Sequence, residues 1–284
     1  MKAVVLDGIV LGLQFGLLGV GMTLVYGLGG VLNLAYGQLA VLAAMVVAVA
    51  LGAGAPALVA SGAGLLAAAA AGVVLDRTLM RPVYRQRGEH RVLLGLLLTL
   101  GVAFVIDGLL LWRYPTGALR LAIGGQAVPI LGVRMRVGSL LATGVSLAVA
   151  ALLLAFRATT PGRAAHSVIQ DEVGARLVGI NPAAVRTFIF ALSGALAALV
   201  AVTRSMTSPV SVTAGFDFTI LALIVAVVGG LGSVAGAFLA GVLLGIVSTV
   251  SAFYIGQYIT TIVLLAAAAL TIVLRPRGLL GRSP

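Results

Sequence analysis

Long apolar runs separated by short polar stretches cover most of the chain, at about residues 8–28, 33–52, 57–75, 92–112, 138–156, 187–204, 218–252 and 254–274. A run of roughly 18 or more apolar residues reads as a bilayer-crossing helix, because a bilayer core offers no water to an open backbone. The pattern predicts an all-α polytopic membrane protein of about eight apolar segments, with residues 1–284 forming one transmembrane domain. The run at 218–252 is too long for one span, and VVGGLGSVAG places Gly229, Gly230, Gly232, Gly236 and Ser233 in its middle. Glycine weakens a helix interior, so this segment is expected to be a hairpin or a broken, re-entrant element. A similar string, VYGLGGVLNLAYGQ, joins the first two segments. One glycine-broken segment in each half points to pseudo-symmetric halves whose unwound helices line a pathway. Ordinary helix packing is the alternative, and it is the reading for Gly236, Gly241 and Gly245, which fall near one helix face.

Charge orients these segments. Arg77, Arg81, Arg85, Arg87 and Arg91 cluster at 76–91, Arg157, Arg163, Arg176 and Arg186 at 157–186, and Arg275, Arg277 and Arg282 in the tail. Short arginine-rich loops stay in the cytoplasm, so these three regions are assigned there and 113–137 becomes extracytoplasmic. Arg113, Arg120, Arg134 and Arg136 run against that rule, four arginines against twelve. The outer stretch 119–137 alternates apolar and polar positions after the Gly124–Gly125 pair, as a short exposed hairpin does. It is a lid, a docking surface or a plug.

Composition then narrows the function classes. The chain is 61% hydrophobic and 9% charged, so its net charge of +11 belongs to membrane topology and not to nucleic-acid binding. It has no cysteine, and its two histidines, His90 and His166, lie in charged loops, so neither a metal centre nor any other cofactor is expected. Asp7 and the lack of a small-residue cleavage pattern make the first run a retained span. A membrane-embedded enzyme would need a convergent nucleophile, base or metal set inside the spans, and the only clear intramembrane carboxylate is Asp107. Asp107 is placed to pair with Arg113, and Asp217 to meet an external partner.

The longest polar interruption is TTPGRAAHSVIQDEVGARLVGINPAAVR, residues 159–186. Thr160-Pro161-Gly162 ends the preceding helix, residues 163–178 suit one or two short helices, Gly179 suits a stop, and Asn181-Pro182 caps the next helix. Any single charge there is a solvated loop charge. The whole, with Val168, Ile169, Val173 and Leu177 among the charges, is a docking element for a partner's groove. Pathway candidates are Thr23, Tyr26, Asn33, Tyr36 and Gln38 near the first break and Ser233 near the second, because polar side chains in apolar runs face a bundle interior or a cavity. Interhelical hydrogen bonding is the alternative for Thr23 and Asn33.

Several of these strings together resemble the permeases of branched-chain amino-acid ABC importers. GRAAHSVIQDEVGARLVGINPAAVR is similar to the family's cytoplasmic coupling segment, TLVYGLGGVLNLAYGQLAVLAA to its N-terminal signature, RPVYRQRG to its first cytoplasmic loop, VVGGLGSVAGAFLAGVLLG to its glycine block and RPRGLLGR to its basic tail. The resemblance runs from about residue 10 to 282 and suits the shorter permease subunit. It implies a second permease subunit, alike or different, two cytoplasmic ATPases, an extracytoplasmic solute-binding protein, and a place in a bacterial or archaeal inner membrane. ATP hydrolysis would lie in the partners, consistent with the absence of a GxxxxGK[ST] phosphate loop from this chain. In that scheme 157–186 is the coupling loop, Arg163, Asp171, Glu172 and Arg176 orient the ATPase, and Gly179 permits the sharp exit. The family's usual His and Glu appear here as Tyr36 and Gln38, which leaves other amino acids, urea or short amides open as cargo. An ion-coupled secondary transporter would share the glycine breaks but would not need the docking loop.

Overall fold

The computed structural model describes residues 1–86, 88–121, 127–130, 133–275 and 278–280. Among them, eight helices are long and apolar enough to cross a bilayer. Gly124, Gly125, Arg87, Arg277 and Arg282 lie outside the described residues. The helices are α1 (Lys2–Gly29), α2 (Tyr36–Gly52), α3 (Ala57–Leu75), α4 (Arg81–Arg85) and α5 (Gly88–Arg113), followed by α6 (Val137–Phe156), α7 (Thr160–Gln170), α8 (Glu172–Leu177), α9 (Pro182–Ser205), α10 (Gly215–Gly229), α11 (Val234–Tyr254) and α12 (Gln257–Leu274). A π-helical turn, Asp76–Met80, joins α3 to α4 in one long element. The strands are short: β1 (Ala118–Leu119) pairs antiparallel with β4 (Val210–Ser211), and β2 (Val128–Ile130) forms a hairpin with β3 (Val133–Met135).

Packing follows the glycines. Helices α1 and α11 lie antiparallel along a small-residue seam, where a Cβ added at Gly12 would stand 2.6 Å from the Val242 Cα and one at Gly245 2.2 Å from the Gly12 Cα. Such seams let helices approach within dispersion range when lipid supplies no hydrophobic drive. Helices α3 and α9 repeat the device: a Cβ at Gly72 would meet the Phe190 carbonyl at 2.4 Å, and one at Gly194 the Ala68 carbonyl at 2.2 Å. The pairings stay the same when α1, α2 and α3 are exchanged for α9, α10 and α11. Helices α1 and α9 run in opposite directions, with Gln14 beside Thr203 and Gly21 beside Ser193. The two halves therefore form an inverted repeat.

The apolar run 218–252 is not one span, because Gly230 at φ 100° and Gly232 at φ 90° turn the chain between α10 and α11. The run 33–52 also differs from a simple span. Residues 30–35 are unwound, and α2 begins only at Tyr36, with 17 residues.

Candidate functional site

The two short helices α2 and α10 start at the same place inside the bundle and leave in opposite directions. A Cβ on Gly37 would lie 1.9 Å from the Gly215 carbonyl oxygen, so only glycine fits there, and one on Gly215 would lie 2.1 Å from Gln38 Oε1 and displace that side chain. From there α2 runs toward β1, with Met45 against Gly117, while α10 runs toward Gly232 and the C-terminal tail. Non-helical backbone at this depth needs protein partners. Thr99 Oγ1 accepts from the Leu34 N–H at 3.1 Å, and Thr219 Oγ1 accepts from the Gly37 N–H at 3.0 Å while its own proton lies within reach of the Leu34 carbonyl at 3.3 Å. Asn33 Oδ1 accepts from Ala35 N–H at 3.1 Å, closing the turn that starts α2.

Most of the polar candidates of the N-terminal signature cluster around this junction but line no open cavity. Thr23, Asn33, Tyr36 and Gln38 are all buried, and Thr23 Oγ1, Asn33 Nδ2, Tyr36 Oη and Gln38 Oε1 have no hydrogen-bond partner among the described residues. Gln38 Nε2 donates to Asp107 Oδ1 at 3.2 Å, so Asp107 is held by Gln38, and it makes no ion pair with Arg113 among the described residues. Tyr26 is half-buried near the end of α1, and its carbonyl accepts the Gly30 N–H that caps the helix. Ser233 is an N-cap, its Oγ accepting from the Gly236 N–H at 3.1 Å to start α11 after the Gly229–Gly230–Gly232 turn. Asp217 is exposed.

The polar stretch folds as its caps dictate. Thr159 Oγ1 accepts from Gly162 N–H at the head of α7, Asp171 Oδ1 from Val173 N–H at the head of α8, and Asn181 Oδ1 from Ala183 N–H at the head of α9. Gly179, at φ 84°, makes the exit that an L side chain would strain. The apolar residues divide between two faces. Val168 is buried and Ile169 reaches α1, where a Cβ on Gly27 would stand 3.4 Å from the Ile169 Cδ1 and 3.8 Å from the Gly232 Cα. Val173 and Leu177 are 68% and 84% exposed. Helix α7 thus rests where the ends of both glycine breaks come together, and α8 turns its apolar side outward.

Of the charges expected to orient a partner, Asp171 and Arg176 are exposed, and Glu172 is half-buried and turns toward α9. Asp171 is a cap, and Glu172 pairs with Arg176 at 2.6 Å and with the buried Arg186 of α9. Burial pushes the Glu172 carboxyl up, but the hydrogen bond and charge of Arg186, with Arg176 and Arg91, hold it below the usual carboxylate range. The Arg186 guanidinium lies over the Tyr84 ring at 4.2 Å, and Arg91 over the same ring at 5.1 Å. Tyr84 in turn packs on Gly29, the last residue of α1. Behind it, Thr187 Oγ1 donates to the buried Asp76 carboxylate. Arg163 stays exposed. A chain of side chains therefore runs from α8 through Arg186 and Tyr84 to the first break. Arg186, Tyr84, Thr99 and Thr219 were not singled out by the sequence pattern, although Thr99 and Thr219 are polar positions inside apolar runs, the same signal that marked Thr23.

A family model described as "Branched-chain amino acid transport system / permease component" matches residues 4–274. Among curated relatives, the high-affinity branched-chain amino acid transport system permease protein LivH of Escherichia coli (strain K12) is 33% identical over 137 residues, 48% of this chain and 44% of LivH. The corresponding BraD protein of Pseudomonas aeruginosa is 35% identical over 122 residues, 43% of this chain and 40% of BraD. The matched stretch thus spans less than half the length of these relatives. A solved structure titled PsaBC from Streptococcus pneumoniae in complex with Fab aligns over 95% of this chain and 91% of that one, with a TM-score of 0.54 and 14% identity, a likeness of fold.

Proposed function

This chain belongs to the branched-chain amino acid transport permease family, and from that membership we propose that it is the translocation subunit of an ATP-driven importer, with α7 and α8 on the cytoplasmic side and the β2–β3 hairpin outside. One observation carries the reading: α7 is a surface helix whose Ile169 packs at Gly27, and Gly27 itself lies beside Gly232, so the ends of both glycine breaks meet at its contact. A push on this helix reaches both halves of the inverted repeat at once. Coupling by displacement of a packed, rigid element is an established route for a two-state switch. The partners on this reading are a second permease subunit, two cytoplasmic ATPases and an extracytoplasmic solute-binding protein, in a bacterial or archaeal inner membrane.

The ATPase contact falls on Val173, Leu177 and the neighbouring exposed Val178, with Arg163 at the rim. Glu172 and Arg186 hold α8 at a fixed angle, and Gly179 sets its exit. The cargo follows the family, branched-chain amino acids. Tyr36 and Gln38, the departures that left urea and amides open, are fully buried and give no independent support to another cargo.

The test is Val173→Asp with Leu177→Asp in the full transporter. Because both side chains are exposed, the permease should still fold and insert, while copurification of the ATPases and ATP-dependent leucine uptake should fall at least tenfold. Undiminished uptake, or uptake driven by an ion gradient with ATP hydrolysis blocked, would sink the reading.

A further inference from the structure

At the β-hairpin end a cavity of about 430 Å³ opens between the first half of α1, β3, the start of α6 and the end of α9. Its volume lies in the range of small-ligand pockets, roughly 300 to 1,000 Å³. Four charged side chains line it: Asp7, Arg134, Arg136 and Arg204. None of them forms a salt bridge among the described residues. Gln14 also lines the cavity, 1% exposed, its Nε2 donating to the Thr203 carbonyl at 3.3 Å while its Oε1 has no partner among the described residues. Gln14 and Arg204 line the same cavity, so an unfilled acceptor and a guanidinium share it.

Unpaired charges of both signs around a small cavity match a dipolar ion. We infer that this cavity receives a free α-amino acid as its zwitterion, carboxylate toward Arg204 and its neighbouring arginines, ammonium toward Asp7 and the Gln14 carbonyl. The inference rests on the proposed import function, which places this end outside. It deepens that reading by assigning the permease its own acceptor site for solute released by the binding protein. Guanidinium holds carboxylate bidentately, and with three arginines against one aspartate the carboxylate should contribute more to affinity than the ammonium. The site also gives Arg134 and Arg136 a reason to sit on the side where arginine is usually sparse.

The experiment measures radiolabelled L-leucine binding to the full chain in phosphatidylcholine nanodiscs at low ionic strength. Unlabelled L-leucinamide and 4-methylpentanoate, which lack the carboxylate and the ammonium respectively, serve as competitors. Leucine should compete best, 4-methylpentanoate several-fold worse and leucinamide worst. Arg204→Gln should weaken leucine at least tenfold and erase its advantage over leucinamide, and Asp7→Asn should erase its advantage over 4-methylpentanoate. Arg136→Gln, at an exposed position that the fold does not need, should weaken leucine several-fold in a protein that elutes as wild type. Three outcomes would overturn the site: no leucine binding, binding unchanged in all three variants, or 4-methylpentanoate equal to leucine in the wild type. Loss of leucine on adding phosphatidylglycerol, with Arg204 still required, would reassign it to a lipid headgroup. ATP-driven leucine uptake by the assembled transporter separates the two claims: intact uptake with no binding here rejects only the site, and absent uptake rejects the function.

Discussion

The two ends of this bundle handle charge in opposite ways. At the α7–α8 end Glu172 bridges Arg176 and the buried Arg186, and Arg186 stacks on Tyr84. At the hairpin end Asp7, Arg134, Arg136 and Arg204 surround a cavity and form no salt bridge among the described residues. Paired charges that stack on a ring fix the angle between α8, α9 and α4, which suits an element that transmits displacement. Unpaired charges around a cavity leave their pairing capacity for something that arrives. One chain thus uses the same residue type, arginine, as a strut at one end and as an acceptor at the other.

That contrast can be broken by mutation. Arg186→Ala should be the most damaging change, because it leaves the partly buried Glu172 carboxylate only its exposed partner Arg176 and removes the stack on Tyr84, at about 3 kcal/mol. A thermal shift of the detergent-purified chain would read this as a fall of roughly 6 to 12 °C. Glu172→Gln should cost less, about 1 to 2 kcal/mol, since the amide still accepts a hydrogen bond from Arg186. Asn181→Ala removes the cap of α9 and should cost about 1 kcal/mol. Arg134→Gln, exposed at the other end, should stay within about 0.5 kcal/mol. If Arg134→Gln melted the protein as severely as Arg186→Ala, the division into strut and acceptor would be wrong.

Acid provides a gentler test. The Glu172 carboxyl is held below its usual range when folded, so its contribution is complete above the unfolded value of about 4.3 and is lost as pH falls through the lower, folded value. Amide-exchange protection at residues 171–177, taken relative to the intrinsic rate at each pH, should therefore be unchanged between pH 7 and 5 and fall below about 4, with the fall suppressed in Glu172→Gln. A fall that began above pH 5 would place the titrating group elsewhere.

The polar stretch was legible because its signals are local. Thr159, Asp171 and Asn181 each cap a helix within three residues of themselves, and Gly179 breaks the chain where it stands. The turn at Gly230 and Gly232 was legible for the same reason. What pattern could not give was partnership across the fold. Thr99 serves Leu34 from 65 residues away and Thr219 serves Gly37 from 182 away, and no periodicity encodes such pairings. That Glu172 turns inward was not legible, because Arg186, its partner, lies on the next element. Tyr36 and Gln38 mark the junction correctly but sit inside it, since the cost of a polar group in lipid says that it must be covered and not by what.

On the proposed import reading, the meeting of α2 and α10 at Gly37 and Gly215 bears on keeping the membrane electrically tight. A helix N-terminus carries roughly half a positive elementary charge, and that of α2, at the buried Tyr36, lies inside the bundle. Helix α10 continues back through the turn Val212–Ala214, where Thr213 is exposed, and carries Asp217 in its first turn, so only α2 presents a bare, buried dipole end. Dipole ends of this kind act as barriers to cations in selective pores. A neutral dipolar solute feels little of that field. The glycine crossing that lets the two halves touch can therefore serve as insulation against cation leak.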